Sequence, residues 1–155
     1  MYPVTVRTEA PIRLAALPHK GAYHEISRAF QKLTAVMASR DLFRNAGRMI
    51  AVFYDDPQSV AEPDLRSQAG FEIKGKADLS APLEEVTLPG GRQAVLTYTG
   101  PYAGLPAAYD ELFGIWLPQS GEEPADTPSF EVYFNSPMDV APEALVSELH
   151  LPLKG

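Results

Sequence analysis

The sequence predicts an α+β protein. Two pseudo-symmetric strand–helix–strand–strand repeats form an antiparallel sheet with two helices and a central cleft. Two observations carry this. Hydropathy changes from period two to a helical period and back, once in each half of the chain. The halves also align at a nearly constant spacing. Arg13 and Arg92, Leu17 and Leu96, Gly21 and Gly100, Tyr23 and Tyr102, and Leu33 and Leu112 are all 79 apart, as are Met37 and Trp116. Further on, Val52 and Val132, Pro57 and Pro137, Leu65 and Leu145, and Ser67 and Ser147 are 80 apart. One inserted residue before the central strand of the second half accounts for the step. The repeats span approximately 2–80 and 84–154, and a period this long is not that of a solenoid.

The elements follow in order. Residues 2–9 alternate weakly and predict a first strand, and Ile12 to Leu17 a second. Pro18 to Tyr23 reads as a turn. Ile26, Ala29, Phe30, Leu33 and Met37 recur at helical spacing. Residues 41–48 read as a loop or short turn. Met49 to Tyr54 is a strand stopped by Asp55-Asp56-Pro57, and Gln68 to Ile73 is the next. Val86 to Leu88 is a short strand before the Pro89-Gly90-Gly91 turn. The pattern then restarts, with a strand at Arg92 to Tyr98 and a turn at Thr99 to Tyr102. A helix carries Leu105, Ala108, Tyr109, Leu112, Phe113 and Trp116. A polar loop, a strand at Phe130 to Asn135 and a last strand at Ser147 to Leu153 complete the chain.

Composition narrows the function. Apolar residues make up 45% of the 155, enough for a packed core. With no cysteine, disulfides and thiolate metal sites are excluded. No stretch approaches the roughly 18 apolar residues of a membrane span, and the N-terminus lacks an apolar leader. A cytoplasmic protein that does not touch membranes is expected. Net charge is −7 and the basic residues form no cluster, so direct nucleic-acid binding is not expected. His19, His24 and His150 lack ligand spacing, so neither a metal nor another cofactor is expected. No Gly-x-Ser-x-Gly surrounds a serine. Asp55-Asp56-Pro57 reads as a strand terminator.

The strand Ser129-Phe130-Glu131-Val132-Tyr133-Phe134-Asn135 stands out. Alternation puts Phe130, Val132 and Phe134 on a core face, and Glu131, Tyr133 and Asn135 on the other. A carboxylate in an apolar strand faces solvent or lines a cavity. Its counterpart 80 residues earlier is Ala51, and that of Tyr133 is Phe53. A solvent position would tend to be polar in both halves, which favours the cavity. There, burial raises the carboxyl pKa, and a cationic ligand offsets the cost of burial.

Tyr98-Thr99-Gly100-Pro101-Tyr102, Ala107 to Leu117 and Phe130-Glu131-Val132-Tyr133 together resemble the GyrI-like small-molecule-binding domain. That module is the effector-binding domain of some AraC-type and MerR-type regulators and includes DNA gyrase inhibitory proteins. The resemblance covers nearly the whole chain. It implies an aromatic-lined cleft between the repeats, with Glu131 matching the glutamate that pairs with cationic lipophilic drugs. Some stand-alone relatives are reported to hydrolyse cyclopropane-containing genotoxins with that glutamate and a tyrosine. No DNA-binding segment flanks the match, so the stand-alone form is expected.

The candidate ligand-binding residues are Glu131, Tyr133, Trp116, Tyr98, Phe53 and Ala51, and Glu131 is the one candidate for catalysis. Tyr133 reads as a pocket wall or an ordinary sheet aromatic. Trp116 reads as helix-to-sheet packing or a flat wall for a cation. The Tyr98 hydroxyl reaches the cleft or solvent. Phe53 and Ala51 form the opposite wall or plain core. The expected activity is binding or sequestration of a hydrophobic, cationic small molecule. The alternatives are a hydrolase of strained electrophiles and a protein that acts on DNA gyrase.

Overall fold

A computed structural model describes residues 2–155. The chain divides into two compact units, Pro11–Pro89 and a second made of Met1–Ala10 with Gly90–Gly155. The first holds β2 (Ile12–Lys20), α1 (Ser27–Ser39), β3 (Ala46–Phe53), β4 (Arg66–Ile73) and β5 (Glu84–Leu88). Its strands are antiparallel in the order β3-β4-β2-β5. Leu33 and Met37, four apart on α1, are fully buried against Ala15, Leu17, Ala69 and Ile73 of the sheet.

The other unit holds β1 (Val4–Glu9), β6 (Gly91–Thr99), a helical segment, β7 (Ser129–Tyr133) and β8 (Val146–Pro152), with strand order β1-β6-β8-β7. Its core is Ala94, Leu96, Tyr98, Ala108, Leu112, Leu149, Leu151 and Leu153. The compact units therefore do not coincide with the sequence repeats 2–80 and 84–154. Strand β1 pairs with β6 of the later repeat, and β5 pairs with β2 of the earlier one. Each repeat lends its first strand to the other unit.

The repeat is visible atom by atom. His19 stands opposite Ser67, and Tyr98 opposite Ser147. The Gly21 N–H donates to Leu65 O, and the Gly100 N–H to Leu145 O, both at 2.8 Å. The two glycines have φ of +117° and +144°, a region that residues with a Cβ avoid. The turn that follows is tied in both units, once by His19 Nε2 on Ala22 O at 2.9 Å and once by the Tyr98 hydroxyl donating to Pro101 O at 2.5 Å. Different side chains thus hold the same carbonyl.

Several sequence expectations are corrected. Strand β2 runs on through Pro18 to Lys20. Pro18 lies past Ala16, where the pairing with β5 ends, so it needs a hydrogen-bonded neighbour on one side alone. Strand β3 begins at Ala46, inside the expected loop. The helix of the second half carries Leu105 to Trp116 as expected, but it is not a uniform α-helix. It runs as α2 (Leu105–Glu111), a π-helical turn (Leu112–Trp116) and α3 (Leu117–Ser120). The Leu117 N–H reaches Leu112 O, an i→i+5 bond that accommodates one extra residue. Finally, Phe134 is 48% exposed because β7 ends one residue before it. It does not join Phe130 and Val132 in the core.

Gly104 sets a testable constraint. A Cβ there would lie 2.1 Å from the Tyr98 hydroxyl oxygen, which Pro101 O holds in place. Gly104→Ala should cost about 1–3 kcal/mol in urea unfolding, the range for overpacking a fixed neighbour. The cost should shrink in a Tyr98→Phe background, where the clashing oxygen is gone. An equal cost in both backgrounds would refute this account.

Candidate functional site

Cross-strand register places Glu131 opposite Leu149, Tyr133 opposite Ser147, and Leu96 opposite Leu149. Leu96 and Leu149 belong to the core beneath α2, so the Glu131 side chain points toward the helix. The other face of β7 is closed as well. Phe130 and Val132 are buried, and the Phe130 ring stacks on His150 with centroids 4.6 Å apart. A carboxylate 5% exposed in such a strand needs partners.

Two phenols meet that need. The Tyr109 hydroxyl, from α2, donates to Glu131 Oε2, and the Tyr133 hydroxyl, two residues along β7, donates to Oε1. Tyr133 in turn meets Tyr102 edge-on, with ring centroids 5.8 Å apart. Burial raises the Glu131 pKa, and the two phenol hydrogen bonds recover only part of that cost. Burial also pushes the Tyr133 hydroxyl well above the usual tyrosine range, and the Glu131 charge adds to the shift. Tyr102 rises for the same two reasons, burial first.

The other unit serves as an internal control. At the same offsets Tyr109 becomes Phe30, Glu131 becomes Ala51 and Tyr133 becomes Phe53, while Tyr102 remains an aromatic at Tyr23. Ala51 stands opposite Ala69 as Glu131 stands opposite Leu149. Tyr23 and Phe53 pack with centroids 4.8 Å apart, as Tyr102 and Tyr133 do. The acid and both hydroxyls that hold it are present together in one unit and absent together in the other. Phenol oxygens are unfavourable beside an alanine methyl and needed beside a carboxylate.

Among the residues singled out from sequence, the structure brings Glu131 and Tyr133 together. It puts Tyr98 in the core, with its hydroxyl spent on the Pro101 carbonyl and its ring 5.5 Å from that of Tyr2. Trp116 closes the π turn and packs, partly buried, on the same core cluster. Ala51 and Phe53 lie in the other unit, Ala51 fully buried and Phe53 against Tyr23. Sequence reading missed Tyr109 and Tyr102 as site residues. The signal for Tyr109 was available, since counting back 79 residues gives a phenylalanine just where the acid's counterpart is an alanine.

Two other charged clusters hold strands together. Asp55 caps the Arg66 N–H and pairs with its guanidinium at 2.8 Å, which holds the carboxyl below its usual range. On the other face of β8, His150 bridges Gln93 and Glu148, and Arg7 meets Glu148 at 2.9 Å. The His150 hydrogen bond, helped by Arg7, keeps Glu148 below the ordinary carboxylate range. Among the described residues no three His, Asp or Glu side chains are grouped as metal ligands, and no helix is long and apolar enough to cross a membrane.

The fold and site together are a duplicated α+β unit with a buried acid held by two phenols in one copy. The chain belongs to the GyrI-like small molecule binding domain family, whose model matches residues 2–154. A DNA gyrase inhibitor of Yersinia enterocolitica is 25% identical over 131 residues, covering 81% of this chain and 82% of the relative. The C-terminal domain of EcmrR shares the fold, with a TM-score of 0.78, 13% identity and coverage of 99% and 98% of the two chains. So does a hydrolase from Listeria innocua, with a TM-score of 0.68, 13% identity and coverage of 97% and 91%. SAV2435, solved bound to tetraphenylphosphonium, has a TM-score of 0.72 at 16% identity, with coverage of 99% and 94%.

The raised Glu131 pKa fixes a pH dependence. The folded protein holds this proton more tightly than the unfolded chain does. The contribution to stability is therefore complete below the ordinary value near 4.5 and is lost as pH rises through the folded value. Glu131→Gln keeps the shape without the charge. Its melting temperature should exceed wild type at pH 8, with the gap closing toward pH 4. A gap that stays constant with pH would contradict the assignment.

Proposed function

We propose that this protein binds hydrophobic, cationic small molecules, with Glu131 as the charge partner. The observation that carries the reading is a buried carboxylate whose hydrogen-bond partners are neutral phenols. Tyr109 and Tyr133 satisfy one oxygen each and leave the negative charge without a counter-ion from their own side chains. A ligand cation supplies the charge that these two phenols do not, and in a low-dielectric setting that pairing is strong. Tyr109, Tyr133 and Tyr102 offer aromatic faces to the same ligand. The tetraphenylphosphonium held by SAV2435 is a cation of this class.

Glu131→Gln should weaken tetraphenylphosphonium binding at least tenfold in calorimetry, and should change the binding of neutral triphenylphosphine oxide less than twofold. Equal losses for both would sink the charge-pairing claim. Cation affinity for the wild type should also rise with pH as the Glu131 proton is shed, while that of the neutral compound stays flat.

A second reading, hydrolysis of strained electrophiles, is favoured by one specific observation. Each Glu131 oxygen already sits on a phenol, so an acid–base residue and a second positioned group occur together. In that reaction water supplies a hydroxyl to the electrophilic ring carbon as the strained C–C bond breaks. Glu131 passes the released proton to the carbon left with the electron pair. Purified protein should then turn over a cyclopropane-containing electrophile repeatedly, as followed by mass spectrometry. Glu131→Gln should abolish turnover while retaining the compound. Stoichiometric binding with the compound recovered unchanged would rule the reaction out for that substrate.

A further inference from the structure

We propose that Phe113 is a specificity-determining residue of the Glu131 site. It forms an open aromatic face that selects cations carrying aromatic rings over alkyl cations of the same charge. The inference rests on the cation-binding reading above and adds to it the chemical class of the ligand's apolar part.

The argument begins with the helix. Tyr109 lies on α2, and Phe113 follows four residues on, inside the π turn. Their rings stack nearly parallel, with centroids 6.2 Å apart and an interplanar angle of 19°. Tyr109 is half-buried because its hydroxyl reaches inward to Glu131. Phe113 covers the same ring from outside and is itself 39% exposed. A phenylalanine this open usually contributes little to a core. Here it continues a chain of aromatic groups around the acid, running from Phe113 to Tyr109, across Glu131 to Tyr133, and on to Tyr102.

The other repeat again provides the contrast. The residue 79 positions before Phe113 is Thr34, on a helix that stays α-helical from Ser27 to Ser39. In the unit without the acid the helix has no π turn and the position matching Phe113 is a threonine. The unit with the acid has the π turn and the phenylalanine, together with the two phenols. π turns recur at functional sites because the widened backbone re-aims the side chains it carries. An aromatic ring beside a cation site interacts with the flat faces and edges of ligand rings, and with the cation itself, more strongly than with alkyl chains.

The test compares two phosphonium cations of equal charge, tetraphenylphosphonium and tetrabutylphosphonium, by calorimetry. The proteins are wild type, Phe113→Ala, Phe113→Leu and Glu131→Gln. Because Phe113 is exposed, Phe113→Leu keeps apolar bulk and should leave the melting temperature within a degree or two. Both Phe113 variants should weaken tetraphenylphosphonium about three- to tenfold, the range for one aromatic pair, and tetrabutylphosphonium less than twofold. Glu131→Gln should weaken both cations.

If the Phe113 variants lose both cations equally, or neither, the selectivity role is overturned, while a loss on Glu131→Gln leaves the charge reading intact. If Phe113→Leu binds as wild type and Phe113→Ala does not, bulk and not the ring is responsible, which also overturns it. If Glu131→Gln binds both cations as wild type, the charge reading fails, and the aromatic preference of the Phe113 variants still decides this proposal. If wild type binds neither cation, both readings fall.

Discussion

One buried carboxylate sets the terms for half of this molecule. Glu131 sits in a strand whose two faces are both closed, where an ionised group without partners would cost several kcal/mol. The fold meets that cost incompletely. It supplies two phenol donors, one from the facing helix and one from the same strand, and no guanidinium or ammonium among the partners that shift its pKa. A protein selected for stability alone would place alanine there, and the other repeat does. The retained acid is thus a local stability deficit, which the cation of the proposed function would relieve.

Duplication makes such a deficit tolerable. The two units share their turn glycines, the tie to the carbonyl beyond each turn, and the strand register. The apolar copy has Phe30, Ala51 and Phe53 at the positions where the polar copy has Tyr109, Glu131 and Tyr133. Neither phenol oxygen is useful without the acid, and the acid is too costly without the phenols. The three positions therefore behave as one unit of polarity placed on a common scaffold.

Much of this was legible in the sequence. The alternation of Phe130 to Tyr133, the helical spacing of Leu33 and Met37, and the offsets of 79 and 80 fix the elements and their duplication. The same subtraction that set Glu131 against Ala51 marked the acid as unusual. Other features were not legible because they depend on three-dimensional neighbours. Periodicity does not distinguish an α-helix from one widened at Leu112–Trp116, so the π turn was not foreseen. Trp116 packs on the leucine cluster, one of its two expected readings, while the Tyr98 hydroxyl, expected in the cleft or in solvent, is satisfied by a turn carbonyl. Tyr109 read as core because half of its ring is core. Its function lies in the one atom that distinguishes it from Phe30.

The exchange of first strands carries a consequence for synthesis. The unit Pro11–Pro89 is contiguous, so every strand it needs exists once Pro89 has been made. Strand β1, by contrast, is made before that whole unit, and its partner β6 begins only at Gly91. At ribosomal rates the delay is on the order of ten seconds. Throughout it, the amides of Val4–Glu9 wait without their native partner while a complete unit assembles behind them. The unit that carries the acid is thus the later of the two to close, and the phenol-held carboxylate forms only after the apolar copy is complete.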